Sequence, residues 1–208
     1  PEERYEVARS WLREHGYEST VAYVHAMAKL VLDETGFLPH ANAGALDEAQ
    51  LRLLAEVSPS QGMMIETLRG DLPCHRGAPD KTPERRLATL EAAGRAGVPF
   101  TTGILVGIGE TREDRIAALE AIAASHLVHG HVQEVIVQNF RAKPKTAMQD
   151  TPDASVLEYV AAVAVARLVI RHAQVEELTA DPSPRLPAYT LATGETPAAV
   201  GPGPRAPH

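Results

Sequence analysis

Residues 98–108 read VPFTTGILVGI, from Val98 to Ile108. A nearly continuous apolar run of this kind is expected of a strand buried on both faces, as in a parallel sheet covered by helices. The flanks agree. Upstream, Thr82 followed by Pro83 is a helix start, with a hydroxyl to cap the first turn and proline where no backbone N–H is needed. That helix runs towards Gly94 or Gly97. Downstream, Thr111-Arg-Glu-Asp114 has the spacing of a capping box and opens the next helix.

Further out, the same alternation repeats. Residues 37–42 (FLPHAN), 62–66 (GMMIE) and 132–140 (VQEVIVQNF) are strand candidates, with Pro39 counting against the first. Residues 47–56 and about 154–171 read as helices. Two helical stretches come first, one with Tyr5, Ala8 and Leu12 at helical spacing, the other with Val21, Val24, Ala28, Val31 and Leu32 ending at Gly36. Four strands, each followed by a helix, predict an α/β fold with a parallel sheet. Four βα units cannot close a barrel, which takes eight and roughly 250 residues. The expected architecture is therefore a partial parallel (β/α) barrel within residues 1–175. From Glu176 the periodicity fails. Seven of the sixteen prolines fall between 182 and 208, so 176–208 reads as a Pro-rich tail, disordered or ordered only against a partner.

Composition narrows the classes. The 208 residues carry a formal charge of −7, with 44% hydrophobic and 23% charged residues. An acidic balance argues against general nucleic-acid binding, and the apolar runs are too short for a membrane span. The single cysteine, Cys74, excludes an internal disulfide and any CxxC metal site. A cytoplasmic address is the resulting expectation.

In barrels of this type the chemistry sits at the C-terminal ends of the strands. That rule selects His40, Asn42, Glu66, Thr67, the GIGET segment at 107–111, and Gln138, Asn139, Phe140 and Arg141. Glycines at a strand-to-helix turn let a ligand approach the backbone, and free N–H groups there attract electronegative atoms. Glu66 could accept from an amine or from sugar hydroxyls, or simply pair with Arg69 or Arg86. Of Arg85 and Arg86, one is expected to face solvent and the other to point inward, where a guanidinium holds a carboxylate through two parallel bonds. Amides such as Gln138 and Asn139 suit a heterocycle with mixed donors and acceptors, or plain strand-end capping. His126, His129 and His131 read as a solvated helix-to-strand loop, and Cys74 as an incidental thiol.

The runs GMMIET (62–67), PDKTPERRLATLEAAGRAGVPFTTGILVGIGET (79–111) and GHVQEVIVQNFRAKPKTAM (130–148) resemble the radical SAM domain of 7,8-didemethyl-8-hydroxy-5-deazariboflavin (FO) synthases. The opening PEERYEVARSWLREHGYEST and LPHANAG (38–44) fit the same family, so the resemblance covers about residues 1–170. It implies a partial barrel using S-adenosylmethionine and a 4Fe–4S cluster. The 5′-deoxyadenosyl radical of such enzymes would act on an adduct of tyrosine and a ribitylamino-uracil, made by a CofH-type partner domain or subunit, to close the deazaflavin ring. It further implies that Glu66 contacts the methionyl or ribose part of the cofactor and that Arg86 holds its carboxylate. Gly107, Ile108 and Gly109 would offer backbone contacts to the adenosine, and His40, Asn42, Gln138, Asn139 and Arg141 would meet the substrate. The family's CxxxCxxC loop, source of three thiolates, has no counterpart in a chain with one cysteine. Metal ligands are therefore expected to be absent, and the chain by itself to be inactive. The competing expectation is a non-catalytic module that needs a partner chain to complete its sheet.

Overall fold

The structure is a computed structural model that describes residues 2–180, with side chains through Ile170. Helices α1 (Glu6–Glu14) and α2 (Thr20–Thr35) precede the alternating part. Then follow β1 (His40–Ala41), α3 (Glu48–Ala55), β2 (Ser60–Gly62), α4 (Pro83–Ala96), β3 (Phe100–Val106), α5 (Arg112–His129), β4 (Val132–Asn139) and α6 (Val156–Ala180). The four strands lie in chain order and every pair is parallel. This is an open α/β segment of a (β/α) barrel, as the alternation predicts.

Local chemistry starts and stops the helices where the sequence indicates. Thr82 Oγ1 accepts the Arg85 N–H at the head of α4, and Gly97 ends it at φ +68°. Thr111 and Asp114 exchange bonds as a capping box at the head of α5. Asp47 and Gln50 do the same for α3, where the sequence reading places the helix start one residue early.

The core lies where β3 meets the helices. Leu90, Ile104, Leu119 and Ile122 are fully buried, each worth roughly 1.5–3 kcal/mol of apolar transfer. Strand β3 is buried along its whole length except Leu105, which is half-buried. Two glycines permit close approach. A Cβ on Gly103 would stand 1.9 Å from the Ile136 carbonyl oxygen of β4, and one on Gly94 would stand 2.5 Å from the His129 ring.

Several elements differ from the sequence expectation. Strand β1 is two residues long, because Phe37 and Leu38 are 73% and 72% exposed and Pro39 has no N–H for the ladder. Strand β2 begins at Ser60, before the apolar GMMIE run. The histidine trio is not a solvated loop: His126 and His129 form the last turn of α5, and His126 and His131 are buried. Helix α6 continues to Ala180; the expected tail lies, from residue 181 on, outside the described residues. No helix among the described residues is long and apolar enough to cross a membrane.

Candidate active site at the C-terminal end of the sheet

The site starts from an irregularity in the sheet. Gly62 pairs with Thr101, yet Glu66 bridges Ile104. Four steps along the β2 segment thus match three along β3, so one extra residue bulges out of the ladder. The bulge leaves the Met64 carbonyl without a strand partner and throws Glu66 into the left-handed region at φ +64°. A non-glycine residue held there costs energy and marks a position fixed by its surroundings.

Those surroundings are cationic. The buried Arg86 donates to the Met64 carbonyl, and its Nε donates to the Asp80 carbonyl at 3.2 Å. The same guanidinium stands 3.5 Å from Glu66 Oε1. Lys81 Nζ donates to both carboxylate oxygens, at 2.9 and 3.0 Å, and His75 Nε2 lies 2.8 Å from Oε2. Glu66 therefore pairs with Arg86, one of the two partners expected for it. Arg69 instead binds Asp71 at 2.8 Å. Arg85 faces solvent and Arg86 points inward, as α4 geometry requires. Lys81 and His75 were not singled out in the sequence; the 15- and 9-residue separations from Glu66 reflect two short 3-10 turns, Pro73–His75 and Pro79–Lys81, that no periodicity announces.

The glycine turn lies beside this cluster at the end of β3. Gly107 and Gly109 have φ of +100° and +106°, values that favour glycine. Two of the turn's N–H groups are taken. Glu110, buried, accepts from Gly107 N–H on one oxygen and from Ile108 N–H on the other, both at 2.8 Å, while Arg115 Nε donates to it at 2.7 Å. A ligand at this turn finds the Gly107 and Ile108 donors already engaged. Glu110 sits inside the GIGET segment, and its position three residues after Gly107 was the available signal.

The other expected contacts are spread along the same sheet end. His40 is exposed, its Nδ1 2.8 Å from Ser60 Oγ, and its ring occupies the space beside Gly62, where a Cβ would come within 3.0 Å. Asn42 and Gln138 are exposed, and Asn139 is half-buried. Phe140 abuts Gly107, whose absent Cβ would lie 3.4 Å from the Phe140 Cβ. Arg141 is engaged by Asp153 at 2.8 Å; the Ala142 N–H and the Arg141 guanidinium together hold that carboxyl below its ordinary range. Cys74 is half-buried, and burial pushes its thiol up, which keeps it in the less reactive form.

The donor set fits one implied group and not the other. A carboxylate flanked by cations suits a zwitterionic amino-acid group, ammonium to Glu66 and carboxylate to Lys81 or Arg86. A 4Fe–4S cluster needs three thiolates, and this chain has one cysteine; its residues do not fit the cluster. Among the described residues no group of three or more His, Cys, Asp or Glu is arranged to hold a metal ion.

No family model matches the chain. Over 175 residues it is 54% identical to FO synthase of Mycobacterium tuberculosis (strain H37Rv), a match covering 82% of this chain and 20% of that protein. It is 46% identical over 181 residues to 7,8-didemethyl-8-hydroxy-5-deazariboflavin synthase of Methanopyrus kandleri, covering 85% and 54%. The chain thus spans about a fifth of the length of the first relative and about half of the second. Among solved structures, methylornithine synthase (PylB) superposes with a TM-score of 0.59 at 22% identity, over 71% of this chain and 42% of that one. The FeFe-hydrogenase maturase HydG from Carboxydothermus hydrogenoformans gives 0.60 at 16%, over 74% and 37%. At these identities the likeness to the solved structures is one of fold. By sequence over four-fifths of its length, the chain is homologous to a segment of the FO synthases, and it has the partial-barrel fold of radical SAM enzymes.

Proposed function

We propose that this chain is the cofactor-binding part of a radical SAM enzyme of FO biosynthesis. The observation that carries the reading is the joining of Glu66, Lys81 and Arg86 next to the 107–109 turn, at the end of a parallel sheet where barrel enzymes place their chemistry. Glu66 is the acceptor for the ligand's ammonium or ribose hydroxyls. Arg86 holds the bulge and presents positive charge to the ligand carboxylate. Gly107, Ile108 and Gly109 form the floor under the adenosine, with Glu110 fixing their backbone. Bound S-adenosylmethionine, held through its amino-acid part by Glu66 and Arg86, would supply the carbon-centred hydrogen-abstraction chemistry.

His40, Asn42, Gln138, Asn139 and Arg141 are the substrate side of this reading, facing a tyrosine-derived ribityl-uracil adduct. With one cysteine, the chain draws its cluster thiolates from residues outside this sequence. The partner is a second domain or subunit that makes the adduct, and the setting is cytoplasmic.

The test is a segment exchange. Residues 1–175 replace their homologous segment in the Mycobacterium tuberculosis FO synthase, and the deazaflavin product is followed by its fluorescence. The chimera is expected to make the product, and its Glu66→Gln variant to make none while still loading iron. A folded, iron-loaded chimera that gives no product overturns the reading.

A further inference from the structure

The loop between β2 and α4 lies across the part of the sheet end that Glu66 and the 107–109 turn occupy. Leu72 is buried, with its Cδ2 3.5 Å from where a Cβ on Gly109 would stand. The Arg69 guanidinium reaches the Gly109 carbonyl at 3.4 Å and Asp114 at 3.8 Å. Cys74 Sγ lies 3.9 Å from the Ile108 carbonyl. His75 and Lys81 close on Glu66. The loop's own backbone bonds from Leu72 to Lys81 are short-range: His75 to Leu72, Arg76 to Pro73, Ala78 to His75 and Lys81 to Ala78. Such 3-10 turns are weak by themselves. Side chains tie the loop to the barrel, and the charge-assisted bonds to Glu66 are the strongest of them.

The three partners of Glu66 differ in what their release costs. Arg86 is 8% exposed and is committed to two carbonyls besides. His75 is 7% exposed, with Nδ1 buried and without a partner. Lys81 is 33% exposed, so its ammonium reaches water by a change of rotamer.

We infer that residues 69–81 form a strap latched shut by Lys81 on Glu66, and that a ligand taking the Glu66 carboxylate releases it. This rests on Glu66 being the ligand acceptor of the proposed function. In the latched state Lys81 occupies the bonding positions that an incoming ammonium needs. Arg86 stays in place to hold the carboxylate as the exchange occurs.

Hydrogen exchange read by mass spectrometry tests this on the chain as it stands. In Lys81→Met the amides of His75, Arg76, Ala78 and residue 81 are expected to exchange at least tenfold faster, with the amides of β3 unchanged. Lys81→Arg should retain the protection. Unchanged exchange in Lys81→Met overturns the latch; so does acceleration extending to β3, because Lys81 then holds the whole fold. S-adenosylmethionine added to the native chain is expected to speed the same amides tenfold. Slower exchange there would mean that the loop clamps over ligand, and would also overturn the proposal. If Lys81→Met opens the strap and S-adenosylmethionine has no effect, the latch stands and the ligand reading of Glu66 fails.

Discussion

Glu110 Oε1 accepts the Gly107 N–H at 2.8 Å, so a side chain of the GIGET segment fastens the turn that begins it. The second oxygen takes the Ile108 N–H, and Arg115 pairs with the first at 2.7 Å. Arg115 in turn reaches Glu158 on α6 at 2.8 Å, and Arg112 joins the same carboxylate. Those two guanidiniums hold Glu158 down to about 2. The turn is thereby linked to α5 and α6 through one chain of charges.

Removing Glu110 should therefore be costly. Its side chain is 1% exposed, and loss of one partner from a buried pair typically costs about 3–5 kcal/mol. Glu110→Ala is expected to melt on the order of 10 °C or more below the native chain. Glu113→Ala, an exposed neighbour on the same helix turn, should stay within about 0.5 kcal/mol. Thermal melts of the two variants side by side decide it, and equal melting points would show the Glu110 network to be idle.

Gly103 gives a second prediction. A methyl group there would penetrate the Ile136 carbonyl, a backbone atom that moves only if β4 moves. Gly103→Ala should destabilise by more than about 3 kcal/mol, beyond ordinary overpacking of flexible side chains. Gly97→Ala has open space around it and meets only the left-handed backbone cost, about 1–2 kcal/mol. Urea unfolding that ranks the two in the opposite order would contradict the close β3–β4 approach.

The same contrast explains what was readable beforehand. Strand β3 announced itself because both of its faces are buried, so nearly every position is apolar. The helix starts were legible in Thr82-Pro83 and in Thr111 with Asp114, since caps are local chemistry. The bulge before Glu66 was not, because the extra residue lies within GMMIE, a run that reads equally well as regular strand. Phe37 and Leu38 misled in the opposite sense, being apolar yet exposed. For the site, Glu66, Arg86 and the glycine turn were legible as strand-end and helix-start residues. Lys81 and His75 were not, because irregular turns bring them back across the sheet end. The histidine trio looked solvated because helix α5 runs to His129, further than its polar end suggests.

Arg86 holds the bulge, and under the proposed function it also holds the ligand carboxylate; one variant separates the roles. Arg86→Ala leaves the Met64 carbonyl unmatched in a buried place, while Glu66 keeps Lys81 and His75, at a cost of about 1–3 kcal/mol. Measured at a temperature where the variant stays folded, S-adenosylmethionine affinity is expected to fall about ten- to a hundredfold, the worth of one charge-assisted carboxylate contact. Equilibrium binding beside urea unfolding gives both numbers. A stability loss with unchanged affinity would leave Arg86 a support for the bulge alone.

The last prediction concerns acid. His131 is buried at the start of β4, against the Phe100 ring and the His129 ring. His126 and His129 approach from α5, and Glu91 from α4 holds His129 at 3.0 Å. Burial, with smaller contributions from the charges of His129 and His126, lowers His131 from 6.5 to about 4. A depressed histidine contributes its full share of stability above its unfolded value. Below that value the unfolded chain takes a proton that the folded chain refuses, and stability falls by about 1.36 kcal/mol per pH unit. Between pH 6.5 and 5 this amounts to about 2 kcal/mol. Glu91 does not confuse this window: burial raises its carboxyl, but bonds from Ser125 and His129 leave it below the ordinary 4.5, so its contribution is lost only in more acid solution. Urea unfolding of the native chain at pH 7, 6 and 5 should show the decline, and His131→Gln should remove about 2 kcal/mol of it. A variant that keeps the full native slope would show that His131 does not resist protonation, and that the acid sensitivity belongs to other groups.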